Sequence, residues 1–166
     1  MTSVAFWDAS AVVKAYVDED GTPNVKSSLA VPGVRGYVSD LVLLEVLTTF
    51  GKKRRTGSIH GRQFRRLVSA FNDNFPRRFG LMTVDSAISD DARSLAEKHY
   101  TSPASAMDLL HLAAARRLAQ LHRHLPVVLV GCDQPLLDVA AREGIDTYNP
   151  EVQPHAAFRS AVRRRS

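Results

Sequence analysis

Short apolar runs recur along this chain, each followed by a longer stretch with helical spacing, and that rhythm leaves few folds open. Val4 to Trp7, Gly36 to Val38, Gly80 to Val84, Val127 to Val130 and Ile145 to Tyr148 read as strands. Parallel strands need a crossover to return the chain to the same end of the sheet, and a helix between strands supplies it. The expected fold class is therefore α/β, a three-layer α/β/α sandwich with a central parallel sheet covered on both faces. Val127 to Val130 has no polar residue and suits a strand buried on both sides.

Helix boundaries follow from cap and breaker residues. Ala9 to Tyr16 has no breaker and reads as a helix. Thr22 before Pro23 has the form of an N-cap with proline in the first turn, for a helix reaching about Ala30 before Pro32-Gly33. Ser39 is expected to cap a helix carrying Leu41, Leu44, Glu45 and Leu47 that fades in the basic stretch before Gly57, and Ser58 to cap the next. That next helix places Phe64, Leu67, Val68, Phe71 and Phe75 on one face and is expected to end at Pro76. A helix from Asp85 to His99, one opened by Ser102-Pro103 and reaching His122, and one from Pro135 to Arg142 complete the series. The segment beyond Pro150 is expected to be a short helix or a mobile arm ending in Arg163-Arg164-Arg165.

With 166 residues and 45% hydrophobic content, the chain suits one domain that buries its own core. Cys132 is the only cysteine, which excludes an internal disulfide and a cysteine-based zinc cage and fits a reducing compartment, so a cytoplasmic location is expected. No apolar run approaches the ~18 residues of a membrane span, so no membrane partner is expected. A net charge of +5 favours polyanions such as RNA.

Four acids stand where apolar segments begin or end: Asp8, Glu45, Asp108 and Asp133. In an open parallel sheet, functional groups gather outside the carboxyl ends of the strands. Asp8 and Asp133 each fall where a strand gives way to a helix, and Glu45 and Asp108 lie early in helices that would start from the same edge. Left alone, four close carboxylates repel one another; divalent cations relieve that. All-oxygen ligation suits Mg²⁺ or Mn²⁺, and a pair of ions roughly 4 Å apart activates water and stabilises the leaving oxygen in phosphodiester cleavage.

Each acid also has an ordinary reading as a helix cap or solvated charge. Glu45 resists it, because the carboxylate interrupts Leu41-Val42-Leu43-Leu44 and Val46-Leu47 and there needs a partner. Asp108 lies likewise between Met107 and Leu109. Asp85 rivals Asp133, since it too ends a strand. Asp18-Glu19-Asp20 reads as a solvated loop.

Taken together, Asp8-Ala9-Ser10 with Lys14, Glu45 in Leu-Leu-Glu-Val-Leu, Asp108 in Met-Asp-Leu-Leu-His-Leu-Ala-Ala-Ala and Asp133 before Gln-Pro-Leu-Leu resemble a PIN domain of the VapC-type toxins of bacterial toxin–antitoxin pairs. The resemblance runs through Glu143-Gly144-Ile145 and Asn149-Pro150. It implies a PIN-like nuclease domain over residues 1–150, with 151–166 as a basic C-terminal tail. It further implies an endoribonuclease dependent on Mg²⁺ or Mn²⁺, with Asp8, Glu45, Asp108 and Asp133 as catalytic metal ligands. Ser10 would orient a carboxylate or a water on the metal. A homodimer and a small antitoxin that blocks the acidic site are also implied. The family often carries a hydroxyl residue just before the fourth acid, where Gly131 and Cys132 stand here.

Other candidates carry less. His111, three residues after Asp108, can reach the crevice but more often such a histidine is a packed side chain; His122 and His124 read as surface residues. Cys132 beside Asp133 invites a nucleophile reading, yet no histidine is placed by sequence to activate it. Lys14 lies two helical turns beyond Asp8 and either pairs with an acid or contacts substrate phosphate. Lys52, Lys53, Arg54 and Arg55, with Arg62, Arg65 and Arg66 on the next helix, read either as solvated faces or as a phosphate track for RNA. Two readings from other classes remain: a haloacid-dehalogenase-type phosphatase, against which Ser10 counts because a second Asp belongs there, and a catalytically silent RNA-binding domain.

Overall fold

In the computed structural model, which describes residues 3–163, five strands form one parallel sheet in the order β3-β2-β1-β4-β5. The strands are β1 (Ser3–Trp7), β2 (Val34–Ser39), β3 (Phe79–Met82), β4 (Val127–Val130) and β5 (Asp146–Tyr148). The helices are α1 (Ala9–Val13), α2 (Thr22–Leu29), α3 (Asp40–Arg55), α4 (Gly61–Arg78), α5 (Ser86–Lys98), α6 (Ala106–Leu121), α7 (Gln134–Arg142) and α8 (His155–Ala161). The three-layer arrangement expected from the strand and helix rhythm is the one observed.

Alternation along the central strands builds two cores. Ala5, Trp7, Val128 and Val130 point to one face, where α1, α2, α3, α4 and α8 pack through residues such as Val12, Val25, Val46, Phe71 and Phe158. Val4, Phe6 and Leu129 point to the other, covered by α5, α6 and α7 through Leu95, Leu112, Leu118 and Leu136. Since β1 is flanked by β2 and β4, it is buried on both faces and carries no polar residue after Ser3. The chain winds outward from β1 through β2 to β3, then returns to β4 and winds the other way. The strand order thus reverses between β1 and β4, which opens a crevice at their carboxyl ends.

Several boundaries differ from those expected, for reasons local spacing does not carry. Gly21, in the left-handed conformation at φ 82°, occupies the N-cap of α2; the hydroxyl of Thr22 instead accepts from the Glu19 N–H and donates to the Val17 carbonyl, folding the preceding loop. His60 rather than Ser58 precedes α4, the Ser58 hydroxyl being engaged with that of Thr56. Pro76 lies inside α4, within its last turn, where a missing N–H removes only one intrahelical bond and Phe75 and Phe79 anchor the chain in the core on either side. α1 stops at Val13, three residues short of Tyr16, and α3 continues through the basic stretch to Arg55. α6 opens at Ser105 and not at Ser102-Pro103, because Ser105 and Asp108 form a reciprocal capping box.

Beyond Pro150 the segment forms α8, which sets Phe158 into the core against Trp7 and Tyr148. Phe158, Ala161 and Val162 of the expected basic tail therefore contribute to the main core, while Arg164 and Arg165 lie outside the described residues.

Candidate active site

The crevice at the reversal of strand order is a cavity of ≈ 380 Å³ lined by Asp8, Glu45, Asp108 and Asp133 together. Asp8 continues the pairing of β1 through its N–H to the Val130 carbonyl and then serves as N-cap of α1, which turns its carboxylate out over the strand ends. Ser10 fixes that carboxylate: its N–H and its hydroxyl donate to Asp8 Oδ2 at 3.0 and 2.5 Å. The same hydroxyl accepts from the Cys132 N–H at 2.8 Å, tying the start of α1 to the end of β4. A Cβ at Gly131 would lie 3.3 Å from the Cβ of Asp8, so the chain passes close beneath the carboxylate.

Glu45, in the second turn of α3, meets His111 of α6, whose Nε2 lies 2.6 Å from Glu45 Oε2 and 3.6 Å from Asp8 Oδ1. On its other side, His111 Nδ1 is 3.0 Å from the hydroxyl of Ser39. That contact explains why Ser39, although it occupies the N-cap position of α3, makes no side-chain cap bond. An Nε2 facing two carboxylates needs a proton between them, since a lone pair there would be repelled. Burial opposes the charged imidazole, but the hydrogen bond to Glu45 and the charges of Asp8, Glu45 and Asp108 outweigh it and hold His111 above the usual histidine range. Burial also pushes the Asp8 carboxyl above the ordinary aspartate range, against the pull of His111 and the Ser10 donors.

The four acids are not equivalent. Atoms of Asp8, Glu45 and His111 all lie within 4.8 Å of one another, a convergence in which the two carboxylates could hold a cation, while a protonated Nε2 has no lone pair to offer one. Asp108 and Asp133 face the same cavity but are engaged at helix starts: Asp108 Oδ2 accepts from the Ser105 N–H at 2.7 Å and Asp133 Oδ1 from the Leu136 N–H at 3.4 Å. Each leaves acceptor capacity for a further partner. Asp85 caps α5 through the Ile88 N–H and does not line the cavity.

A second charged group shares the cavity wall. Lys14 Nζ lies 2.6 Å from Glu151 Oε1 and 3.4 Å from Glu19 Oε2, and Glu19 also pairs with Lys53. Burial works against the Lys14 ammonium, yet these acids hold it above the usual lysine range. Glu19 thus corrects the expectation that its acidic run only solvates a loop. Of the expected basic track, Lys14 and Lys53 line the cavity, whereas Lys52, Arg54, Arg55, Arg62, Arg65 and Arg66 stand exposed away from its lining. Burial drives the Cys132 thiol up to about 12, which leaves it protonated at neutral pH and unfit as a nucleophile.

The donor set fits a hard divalent cation. Asp8 and Glu45 present carboxylate oxygens side by side, and two more carboxylates stand on the same cavity with acceptor sites in reserve. His111 was the residue sequence reasoning undervalued. Its signal was the spacing of three from Asp108, which sets both on one helix face.

No family model matches the chain, and no curated protein matches it in sequence. The fold does match solved structures. FitAcB from Neisseria gonorrhoeae superposes with a TM-score of 0.64 at 15% identity, over 90% of this chain and 99% of that one. Mycobacterium tuberculosis VapC20, described as a Sarcin-Ricin loop cleaving toxin, gives 0.64 at 19% identity over 90% and 99%. VapBC2 from Rickettsia felis, bound to a DNA fragment from its promoter, gives 0.60 at 17% identity over 88% and 98%. The chain therefore has the PIN-like α/β/α fold of these toxin and toxin–antitoxin structures.

Proposed function

We propose that the protein is a metal-dependent endoribonuclease and the toxin of a toxin–antitoxin pair. The observation that carries this reading is the meeting of Asp8, Glu45, Asp108 and Asp133 on one cavity at the carboxyl ends of β1 and β4, in a fold shared with a toxin that cleaves the Sarcin-Ricin loop. Asp8 and Glu45 would hold Mg²⁺ or Mn²⁺, with Asp133 and Asp108 completing the acidic ring. The ion would neutralise charge on the scissile phosphate and bring a water nearer to deprotonation at neutral pH.

The chain's own residues do the rest. Ser10 locks the rotamer of Asp8, so that one oxygen of that carboxylate is turned to the cavity while the other is held. His111 positions Glu45 and supplies a proton-bearing nitrogen beside Asp8, lowering the repulsion between two carboxylates that face each other. Lys53 and Lys14, at the cavity wall, would meet substrate phosphates, and the exposed Lys52, Arg54, Arg55, Arg62, Arg65 and Arg66 would draw an RNA strand toward them. A small antitoxin partner is supported by the neighbouring structures solved as toxin–antitoxin complexes. A homodimer is proposed from the resemblance to VapC-type toxins alone. Among the described residues no helix is long and apolar enough to cross a membrane.

Purified protein incubated with total cellular RNA tests the reading. Discrete fragments that require Mg²⁺ or Mn²⁺, vanish with EDTA and are lost in Asp8→Asn and Asp108→Asn are expected. Identical fragments from the variants, or RNA binding without cleavage by any form, would overturn it, the latter in favour of a silent RNA-binding domain.

A further inference from the structure

On the sheet face that carries α2, a second cavity of ≈ 450 Å³ has the opposite character from the acidic one. Its floor is Trp7, its walls are Lys26 and Ser28 of α2, Val34 and Gly36 of β2, and Arg77 and Arg78 at the end of α4. Trp7 is 1% exposed, and its indole Nε1 is buried with no hydrogen-bond partner. An indole N–H only donates, and a buried donor left unmatched is costly, so the fold retains it against a penalty. Gly36 lies against it: a Cβ there would lie 3.3 Å from Nε1 and 2.9 Å from a Phe79 ring carbon, so the missing side chain leaves only a glycine beside the indole edge on the cavity wall.

The charge around this donor is of one sign. Three cationic side chains line the cavity, and among the described residues lining it none is acidic. Lys26 is engaged at the rim by the exposed Asp18 at 3.2 Å, which leaves Arg77 and Arg78 as the principal cations. Attraction to the carbonyl end of α4 explains two arginines at that terminus, but not an orphan indole N–H and a hydroxyl on the same cavity. Planar guanidinium groups match the oxygens of a phosphate, and the volume falls in the range of small-ligand sites.

We propose that this cavity binds a small phosphate-bearing ligand, with the Trp7 indole N–H donating to a phosphate oxygen and Arg77 and Arg78 balancing its charge. The site is separate from the acidic cavity, and the inference stands whether or not that cavity cleaves RNA.

Trp7 is the only tryptophan, so its fluorescence reports the site without labelling. The full chain is titrated with inorganic phosphate, pyrophosphate and adenosine monophosphate at ionic strength held constant with chloride. A saturable change is expected, at least roughly tenfold weaker in Arg77→Gln/Arg78→Gln, since two charge-assisted contacts are lost. It should stay within about twofold in Arg117→Gln/Arg123→Gln, which removes the same charge from exposed positions on and beyond α6. Trp7→Phe, which keeps the ring and deletes the donor, should bind more weakly by calorimetry. Tighter binding of the nucleotide than of the free ions assigns a nucleotide-like ligand; equal binding assigns free phosphate. A linear, unsaturable response, equal weakening in both double variants, or a response to RNA alone would overturn the proposal.

Discussion

Two buried carboxylates in this molecule sit beside a histidine and have opposite fates. Glu143, at the end of α7, accepts from Lys98 Nζ at 2.7 Å, from His99 Nε2 at 2.6 Å and from Arg116, and its side chain is 5% exposed. Burial works against its charge, but these partners overcome it and hold its carboxyl down at about 2. Asp8, with a side chain 8% exposed, has Ser10 and a more distant His111, and burial wins: its carboxyl is held above the usual range. Glu143 is a finished ion network that stabilises the packing of α5, α6 and α7. Asp8 faces a cavity, and its partners only partly offset the cost of burying its charge, the condition in which a carboxylate takes up a cation.

The sharpest way to break this contrast is to remove each charge in turn. On the proposed function, Asp8→Asn should lower metal-dependent RNA cleavage on the order of a thousandfold, because it deletes an oxygen that would hold the metal at the centre of the site. The same change should raise the melting temperature of the metal-free protein by a few degrees, since it removes a charge that burial disfavours. Glu143→Gln should do the reverse, leaving cleavage intact and lowering the melting temperature. Equal effects of the two changes on cleavage and on melting temperature would remove the contrast, and a destabilised Asp8→Asn with an unaffected Glu143→Gln would reverse it.

Next in size is His111→Gln, expected to weaken Mn²⁺ binding by about 10–100-fold, the usual cost of losing a side chain that positions a metal ligand. Asp108→Asn and Asp133→Asn refine the comparison within the acidic ring. Asparagine can still accept the helix-start N–H groups, so melting temperatures should hold while cleavage falls roughly a hundredfold. Unchanged cleavage would reduce both residues to caps.

The smallest effect is in acid. The Glu143 carboxyl lies below its unfolded value of 4.5 when folded, so its contribution is fully present above about 4.5 and is lost as pH falls toward about 2. That loss should be on the order of 2 kcal/mol in denaturant titrations and absent in Glu143→Gln. For metal-free Asp8 the sign is opposite: the folded state holds its proton more tightly, so stability falls as pH rises through its folded range.

What could be read from the sequence was local and periodic. The strands ending in Asp8 and before Asp133 follow from apolar runs of four or five residues, and reversal of strand order around β1 brings both acids to one crevice. The cap residues were harder, because local side-chain bonds engage Thr22 and Ser58 elsewhere and the reciprocal bonds of Ser105 and Asp108 fix the start of α6 beyond Ser102. The partners of the site were hardest. His111 finds Glu45 across 66 positions, and Lys14 finds Glu151 from the far end of the chain, pairings set by the sheet and not by any local spacing.

The most direct test is Mn²⁺ binding to the full chain, followed by calorimetry without RNA present. The unmutated protein should bind the ion saturably, Asp8→Asn should lose that binding, and Glu143→Gln should retain it. Equal binding by Asp8→Asn, or no binding by any form, would contradict the assignment of this cavity as a metal-dependent active site.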